Sequence, residues 1–516
     1  MSQHDLDIAN QTFPNTRSDL NLALKALGSN QSGSSAPSTT YANGLFYNTT
    51  SNLLQIRNED NDAYITLAEL DQSNDTVEYF KSDSVRTALI EFTDGDDALA
   101  IADGGALTVS TSLDMNGTEL ILDADADTSI HASTDDIIDI KVGNTDVAHI
   151  VNTGVSQGAL LNRNPTPIVI NGDMKISQRG DMTGITSGQY ITTDRFFINM
   201  INLGTWSFAK STDTPTGLGF ASSLKIDCTT ADASPASADN FYLSMQSEGQ
   251  NLQIMEKGTS DARTSTIAYW IKSNKTGNYV VELWDRTNDR HVGKVVTISS
   301  ANTWEKHVCN FPADTSGALA NTNARSIMIS WAFDSGSNFT SGTLPTSWAS
   351  RVDANRFVGT NLGLGDNTAN EVLLTGVQWE MGTFTSATMP PFQHEDAGTS
   401  LARCQRYCSL VKADASTTRF AIGFNNSTSQ AEGVVYLPVS MRTGPTLVTS
   451  GTAGDYGLTV AGAIGTCSSV PIVGNQSNTN PYFQDVFFTQ TSLTSNNPVG
   501  LCGKTTDGFL RFESEL

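Results

Sequence analysis

Residues 326–333 read SIMISWAF, and residues 371–381 read EVLLTGVQWEM. In the first stretch every second residue is large and apolar: Ile327, Ile329, Trp331 and Phe333. Because successive side chains of a β-strand point to opposite faces, this spacing places all of them on one buried face. A similar alternation runs through the second stretch. Both stretches therefore predict strands of a β-sheet core.

The segment 161–397 surrounds these strands and holds every tryptophan of the chain. The tryptophans are Trp206, Trp270, Trp284, Trp304, Trp331, Trp348 and Trp379. Trp304 and Trp331 alternate with polar residues, which predicts core positions for both. A segment of roughly 230 residues with short strands between turn signals is typical of two packed sheets. We predict a β-sandwich or jelly roll here.

Composition extends the β-rich prediction to the whole chain. A chain of 516 residues exceeds one core, because single domains usually stop growing at about 250 to 300 residues. Thr, Ser, Asn, Asp and Gly are abundant, and these residues favour turns and short strands over long helices. We therefore predict an all-β protein with one short helix near its start. Residues 398–516 form a separate C-terminal β-domain in this interpretation.

The predicted helix carries Leu20, Leu24 and Leu27 on one face, with Ser18 as its N-cap and Gly28 as its stop. An isolated helix of about ten residues is marginal in water. Its leucine face must therefore pack against other copies or a partner.

Three further segments lie between the start of the chain and the sandwich. Residues 29–40, SNQSGSSAPSTT, have the composition of a flexible linker, so residues 1–40 are assigned to an anchor and its tether. Residues 41–70 contain three apolar runs between turns, which predicts a β-meander. Residues 71–160 have turn signals about every ten residues.

The segment 71–160 is acidic, with 18 Asp/Glu against 3 Lys/Arg, and no aromatic residue follows Phe92 in it. One copy has too little apolar surface to offset a backbone ordering cost of about 1 to 2 kcal/mol per residue. Its Ile, Leu and Val rows would be buried if three copies wound around one axis. We predict a trimeric β-stalk.

Asp123, Asp125 and Asp127 have the D-x-D-x-D spacing that opens a calcium loop. The rest of that pattern fails, because Thr128 stands where Gly is needed and Thr134 where Glu is needed. A solvated turn is favoured over a calcium site. We predict no metal and no cofactor.

Several classes of function are disfavoured by the sequence. The net charge of −24 repels nucleic acid. No apolar stretch of about 18 residues occurs and the first ten residues do not form a secretory signal, so we expect production in the cytoplasm without membrane insertion. The six cysteines lack CxxC spacing, which favours free buried thiols over zinc ligands.

Catalytic motifs are also missing from the sequence. No HExxH, GxSxG or GxxxxGK[ST] pattern occurs, so we predict no catalytic residues and no enzyme. A polysaccharide depolymerase needs only two carboxylates, which a sequence cannot pair, and this alternative stays open. Asp194-Arg195 in TTDRF is interpreted as a structural pair at a strand end.

Four parts of the chain contain recognisable phrases. They are RSDLNLALKALGSNQSGSSAPSTTYANGLFYNTTSNLLQIRNEDNDAYITL, LILDADADTSIHASTDDIIDIKVGNTDVAHI, the set NGDMKISQRG, TTDRF, LLTGVQWEMG and CQRYC, and LPVSMRTGPTL. Together these phrases resemble tail fibre proteins of marine phages, such as those that infect cyanobacteria. The third set is similar to a jelly-roll module of phage fibres and spikes, comparable to carbohydrate-binding modules, that usually ends CQRYY. Cys408 replaces the last aromatic residue here.

This resemblance implies a homotrimer located in the virion tail. Its N-terminus would bind tail adaptor or nozzle proteins, with Leu20, Leu24 and Leu27 as the virion anchor. Its C-terminal domains, with residues 398–516 as the tip, would bind host surface polysaccharide or lipopolysaccharide. A tailspike-type depolymerase and a capsid-attached appendage are the alternatives, and the receptor is not defined by the sequence.

Trp348 is the candidate for glycan contact. It lies in a Ser/Thr/Pro-rich loop, SGTLPTSWASR, and is the tryptophan that we expect to be exposed. An exposed indole offers a flat surface to a sugar ring. Anchoring of the loop is the alternative, and it is favoured over sugar binding.

Overall fold

The computed structural model describes residues 3–79, 90–91, 97–101, 107–108, 119–132, 137–151, 154–157, 166–460, 462–474 and 479–516. These residues form many short strands in antiparallel sheets, and the longest helix has 16 residues. The predicted all-β fold with a short N-terminal helix is confirmed. Within the described ranges, no helix is long and apolar enough to span a bilayer.

The chain forms two compact units, residues 1–116 and 117–516. In the first unit, helix α1 spans Phe13–Gly28, and strands β1 to β4 span Leu45–Asn48, Leu53–Arg57, Tyr64–Asp71 and Thr76–Tyr79. The four strands form one antiparallel sheet in chain order. Its first three strands coincide with the apolar runs of the predicted meander.

The helix begins five residues before the predicted cap. Thr12 precedes its first turn, which contains Pro14, and a proline there has its φ angle already suited to a helix. The prediction of Ser18 as the N-cap is therefore wrong. The helix ends at Gly28, as predicted.

The segment 29–40 is bound along the edge of the β1–β4 sheet. The Gly33 N–H donates to the Tyr47 carbonyl at 3.0 Å, and the Thr49 N–H donates to the Gly33 carbonyl at 2.9 Å. The Asn61 side chain donates to the Thr40 carbonyl at 3.0 Å. These contacts occupy backbone groups of the edge strand β1 that need partners. The flexibility of the tether stays a prediction.

Part of the predicted stalk is described. Strands β5 to β7 span Ile90–Glu91, Asp97–Ile101 and Leu107–Thr108, and strands β8 to β12 span Leu120–Ile121, Ser129–His131, Ile137–Val142, Thr145–Val151 and Gly154–Gln157. Strands β8 to β12 pair antiparallel, and Leu120, Ile130 and Ile138 on one face are exposed in a single chain. The trimer that would cover them stays a prediction. The rest of the stalk lies outside the described residues.

Residues 166–396 form the predicted sandwich. Strands β13 to β25 span Met182–Ile185, Gln189–Tyr190, Phe196–Ile201, Thr205–Ser211, Ser223–Thr230, Asn240–Glu248, Ser265–Ser273, Gly277–Asp285, Arg290–Ile298, Glu305–Phe311, Arg325–Ser335, Ala349–Ser350 and Glu371–Met381. One sheet has the order β13-β16-β17-β25-β19-β22, and the other has the order β14-β15-β18-β23-β20-β21-β24. Helix α2 is the single turn Ser337–Thr340.

The core lies between these two sheets. Ile327, Ile329, Trp331 and Phe333 are fully buried in it, as the alternation predicts. The other face of β23 is buried as well, because Met328 and Ala332 pack beneath Phe357 of the following loop. Strand β23 is thus covered on both sides.

The C-terminal domain begins with helix α3, Ala397–Gln405, which the Asp396 carboxylate caps by accepting from the Thr399 N–H. Strands β26 to β35 span Cys408–Lys412, Arg419–Asn425, Gln430–Tyr436, Thr446–Thr449, Tyr456–Val460, Ala463–Thr466, Ile472–Val473, Phe483–Thr489, Pro498–Gly503 and Phe509–Glu513. They form sheets of three and seven strands around their own core. All six cysteines of the chain are buried free thiols, as predicted.

Candidate functional site

A β-bulge interrupts the central strand β25. Ala268 of β19 pairs with Gln378, but Trp270 pairs with Thr375, so two residues of β25 oppose one of β19. Gly376, at the bulge, has a φ of +64°, a region that glycine enters without steric cost. A bulge of this kind bends its strand and changes the direction of nearby side chains.

A groove of about 360 Å³ lies beside the bulge on the outer face of the six-stranded sheet. Ala268 and Trp270 of β19, Lys306 of β22 and Gln378 of β25 form its floor. The loop 217–220 and the segment 391–394 form its walls. Floor and walls thus come from chain segments that are far apart in sequence.

Aromatic rings dominate the wall of the groove. The Phe220 and Phe392 ring centroids are 5.1 Å apart, and the His394 ring lies 5.1 Å from Phe220 and 4.9 Å from Phe392. A hydrogen bond of 3.1 Å between His394 Nε2 and the Leu218 carbonyl joins the two walls. Together with Trp270, these rings present flat apolar surfaces to a ligand.

Two polar side chains complete the floor. Gln378 is 7% exposed, and its Nε2 donates to the Pro390 carbonyl at 3.0 Å. Its Oε1 has no hydrogen-bond partner among the described residues. Lys306 forms no ion pair among the described residues. Burial lowers the pKa of its ammonium group below the ordinary value. Lys306 is therefore available to a polar ligand, whereas Gln378 Oε1 is enclosed by its neighbours.

Trp304 lies on the same outer face, which differs from its predicted core position. Its indole N–H donates to Asp213 Oδ1 at 3.0 Å, and the same carboxylate pairs with Lys272 at 2.6 Å. Trp304 is separated from Lys306 by two positions, so both side chains point away from the core. The sequence shows its alternation but not which of the two faces is buried.

The sequence-predicted candidate Trp348 is partly buried in its loop. Its indole N–H donates to the Pro312 carbonyl at 2.9 Å, and Lys257 Nζ lies 5.1 Å from its ring centroid. These contacts anchor the loop, and Trp348 does not line the groove. Glycan contact by Trp348 stays a prediction.

The predicted anchor leucines are exposed on helix α1. The exposed fractions are 47% for Leu20 and 57% for both Leu24 and Leu27, whereas Ala23 and Ala26 are buried. Such a row of exposed leucines has the character of a contact surface. Its role in virion attachment stays a prediction.

Asp194 and Arg195 have structural roles, but the expectation that they pair with each other is wrong. Asp194 accepts from the Gln178 N–H at 3.0 Å and from Gln178 Nε2 at 2.6 Å. Arg195 is 1% exposed, donates to the Gln246 carbonyl at 2.7 Å and forms an ion pair with Glu515. Its guanidinium carbon lies 3.4 Å from the Tyr407 ring centroid. The motif therefore joins the sandwich to the C-terminal domain.

Two groups of side chains have ligand atoms within 4.8 Å of one another and could hold a cation. They are Asp123, Asp125 and Asp127, and His131, Asp139 and Asp146. The Asp123 carboxylate accepts from the Thr128 N–H at 3.2 Å, which closes the turn between β8 and β9. Neither group lines the groove.

No known family profile matches the chain, and no curated protein matches it by sequence. Solved structures that align with 42% of the chain include the enzymatically active domain of tailspike protein 4 of bacteriophage CBA120, at 10% identity and a TM-score of 0.22. The alignment spans 21% of that tailspike. The family 11 carbohydrate-binding module of Clostridium thermocellum, in complex with a mixed-linked tetrasaccharide, aligns over 98% of its length at 7% identity and a TM-score of 0.20.

A third structure, TmCBM61 in complex with β-1,4-galactotriose, aligns over 99% of its length and 42% of this chain, at 9% identity and a TM-score of 0.20. TM-scores this low do not define a shared fold or function.

Proposed function

We propose that this protein binds a glycan in the groove beside Trp270 and acts as a binding protein without enzymatic activity. The observation that carries the proposal is the groove itself, an aromatic cleft with an unpaired lysine, Lys306, on its floor. Ligand sites typically measure about 300 to 1,000 Å³ and combine apolar walls with a few polar groups. The volume of 360 Å³ fits that range.

A sugar ring matches the chemistry of this cleft. One face of many pyranose rings exposes C–H groups, which pack on an aromatic surface such as Trp270, while the hydroxyl groups need hydrogen-bond partners. Lys306 Nζ lines the groove, forms no ion pair among the described residues and can donate to such a hydroxyl.

The lining residues favour binding over hydrolysis. A glycosidase normally needs two carboxyl groups on either side of the scissile bond. Among the described residues that line the groove, none is Asp or Glu. A bound glycan would therefore leave this groove unchanged.

We further propose that the protein is a phage tail fibre or a related appendage that attaches to the virion through its N-terminus. The resemblance of its phrases to marine phage fibres and the exposed leucines of α1 support this role. Homotrimer formation through the stalk belongs to the same proposal. The sandwich and the C-terminal domain would then contact polysaccharide or lipopolysaccharide of the host.

Replacing Trp270 with alanine should weaken binding of host envelope polysaccharide by about tenfold or more, because the sugar loses its stacking surface. Isothermal titration with the full-length chain measures the change. Tyr436→Ala is the matched control, since Tyr436 is 78% exposed in the C-terminal domain and does not line the groove. Loss of binding in Tyr436→Ala with normal binding in Trp270→Ala would place the glycan site in the C-terminal domain and contradict the proposal. Sustained release of reducing ends by the purified protein would contradict the non-enzymatic role.

Replacing Leu20 and Leu24 together with aspartate should give trimers that no longer incorporate into particles, because charge is placed on the proposed contact face. Incorporation is measured by the protein content of purified virions. Leu22→Asp is the matched control, since Leu22 is also exposed but lies on the opposite side of α1. Normal incorporation of the double variant would refute the anchor assignment.

A further inference from the structure

Among the described residues that line the groove, Lys306 is the one Lys, Arg, Asp or Glu side chain. Other lysines on the same outer sheet face are neutralised. Lys225 pairs with Glu371 at 2.6 Å, and Lys272 pairs with Asp213 at 2.6 Å. Lys306 has no such partner within the described part of the chain.

Partial burial of Lys306 raises the free energy of its charged form. The groove withdraws water from the ammonium group, and no carboxylate replaces that water. A bound anion would supply the missing charge and accept a charge-assisted hydrogen bond, which is roughly twice as strong as a neutral one. The same side chain therefore favours an anionic ligand over a neutral ligand of the same shape.

The rest of the chain does not attract anions from a distance. Its net charge of −24 repels an acidic polymer. Beyond a Debye length of about 8 Å at physiological ionic strength, that repulsion is screened. Selection for an anion must then come from a local cation inside a partly enclosed site, and Lys306 beside Trp270 has that arrangement.

We infer that the groove binds an acidic sugar, a uronate or a sulfated residue, with its ring on Trp270 and its carboxylate or sulfate at Lys306 Nζ. This inference rests on the proposed glycan-binding function and specifies its ligand class. The aromatic wall selects the ring, and the lysine selects the charge. A free inorganic anion shares only the second interaction and should bind more weakly.

The test uses the full-length protein and an array of uronate and sulfated oligosaccharides, each printed beside its carboxyl-reduced or desulfated form. The wild-type protein should bind at least one acidic glycan about tenfold more tightly than its neutral counterpart. Lys306→Gln should remove that preference and leave the neutral form bound as before. Lys306→Arg should retain most of the preference, because it keeps the charge. Lys272→Gln, which alters a paired lysine of the same face, should retain it fully.

The outcomes separate this inference from the proposed function. Binding that depends on Trp270 but shows no preference for acidic glycans, or a preference that survives in Lys306→Gln, overturns the inference alone. Absence of any Trp270-dependent glycan binding overturns the proposed function as well. Sodium sulfate that competes as strongly as the acidic glycan would show an inorganic anion site and would also overturn the inference.

Discussion

Replacing Arg195 with alanine should lower the free energy of unfolding by about 2 to 5 kcal/mol, since it removes charge-assisted hydrogen bonds and a contact with the Tyr407 ring. Arg195 joins two domains through the Gln246 carbonyl and the Glu515 carboxylate. Without Arg195, the Glu515 carboxylate keeps its ion pair with Arg179. Chemical denaturation followed by tryptophan fluorescence measures this decrease in the free energy of unfolding.

Lys225→Ala is the control for this experiment. Lys225 forms an ion pair with Glu371 on the partly exposed sheet surface, where such pairs contribute about 0 to 1 kcal/mol. Glu515→Gln should reproduce much of the Arg195→Ala effect, and the double variant should cost less than the sum of the two. A loss below about 1 kcal/mol in Arg195→Ala would contradict the structural role of the motif.

Replacing Gly376 with alanine should both destabilise the sandwich and abolish glycan binding. A Cβ at this position would lie 2.7 Å from Phe220 Cζ and 3.1 Å from Trp270 Cδ1. The left-handed φ adds about 1 to 2 kcal/mol for a residue with a side chain, and overpacking adds about 1 to 3 kcal/mol. We expect a total loss of about 2 to 5 kcal/mol in chemical denaturation.

Gly184→Ala separates the two causes. Gly184 has a φ of +70°, but a Cβ there would meet no atom within 4 Å. This control should show only the backbone cost of about 1 to 2 kcal/mol and should bind glycan normally. Equal effects of the two variants on glycan binding would mean that contacts of Gly376 with Phe220 and Trp270 do not shape the groove.

The strands of the sandwich could be predicted because their core side follows a simple period of two. Ile327 and Trp331 are identified by spacing alone, and the structure buries both. Trp304 has the same alternation yet lies on the outer face. Burial depends on which face the partner sheet covers, and alternation carries no information about that choice.

The groove could not be predicted from local patterns. Phe220, Trp270 and Phe392 lie far apart in sequence and meet only after the sheet has formed. One signal was present, because a glycine inside the strand pattern LLTGVQWEM suggests a bulge. Pro14 also indicates the helix start, because proline suits the first turn, whereas the prediction from Ser18 places the start too late.

The construction of the groove has a consequence for evolution. The floor belongs to strands whose opposite faces form the core, whereas the walls belong to the loop 217–220 and the segment 391–394. Loops tolerate substitution, insertion and deletion far better than core strands. Mutations in two short segments can therefore change the proposed ligand specificity with a small effect on the stability of the scaffold, so a lineage could acquire new specificities while it keeps the same fold.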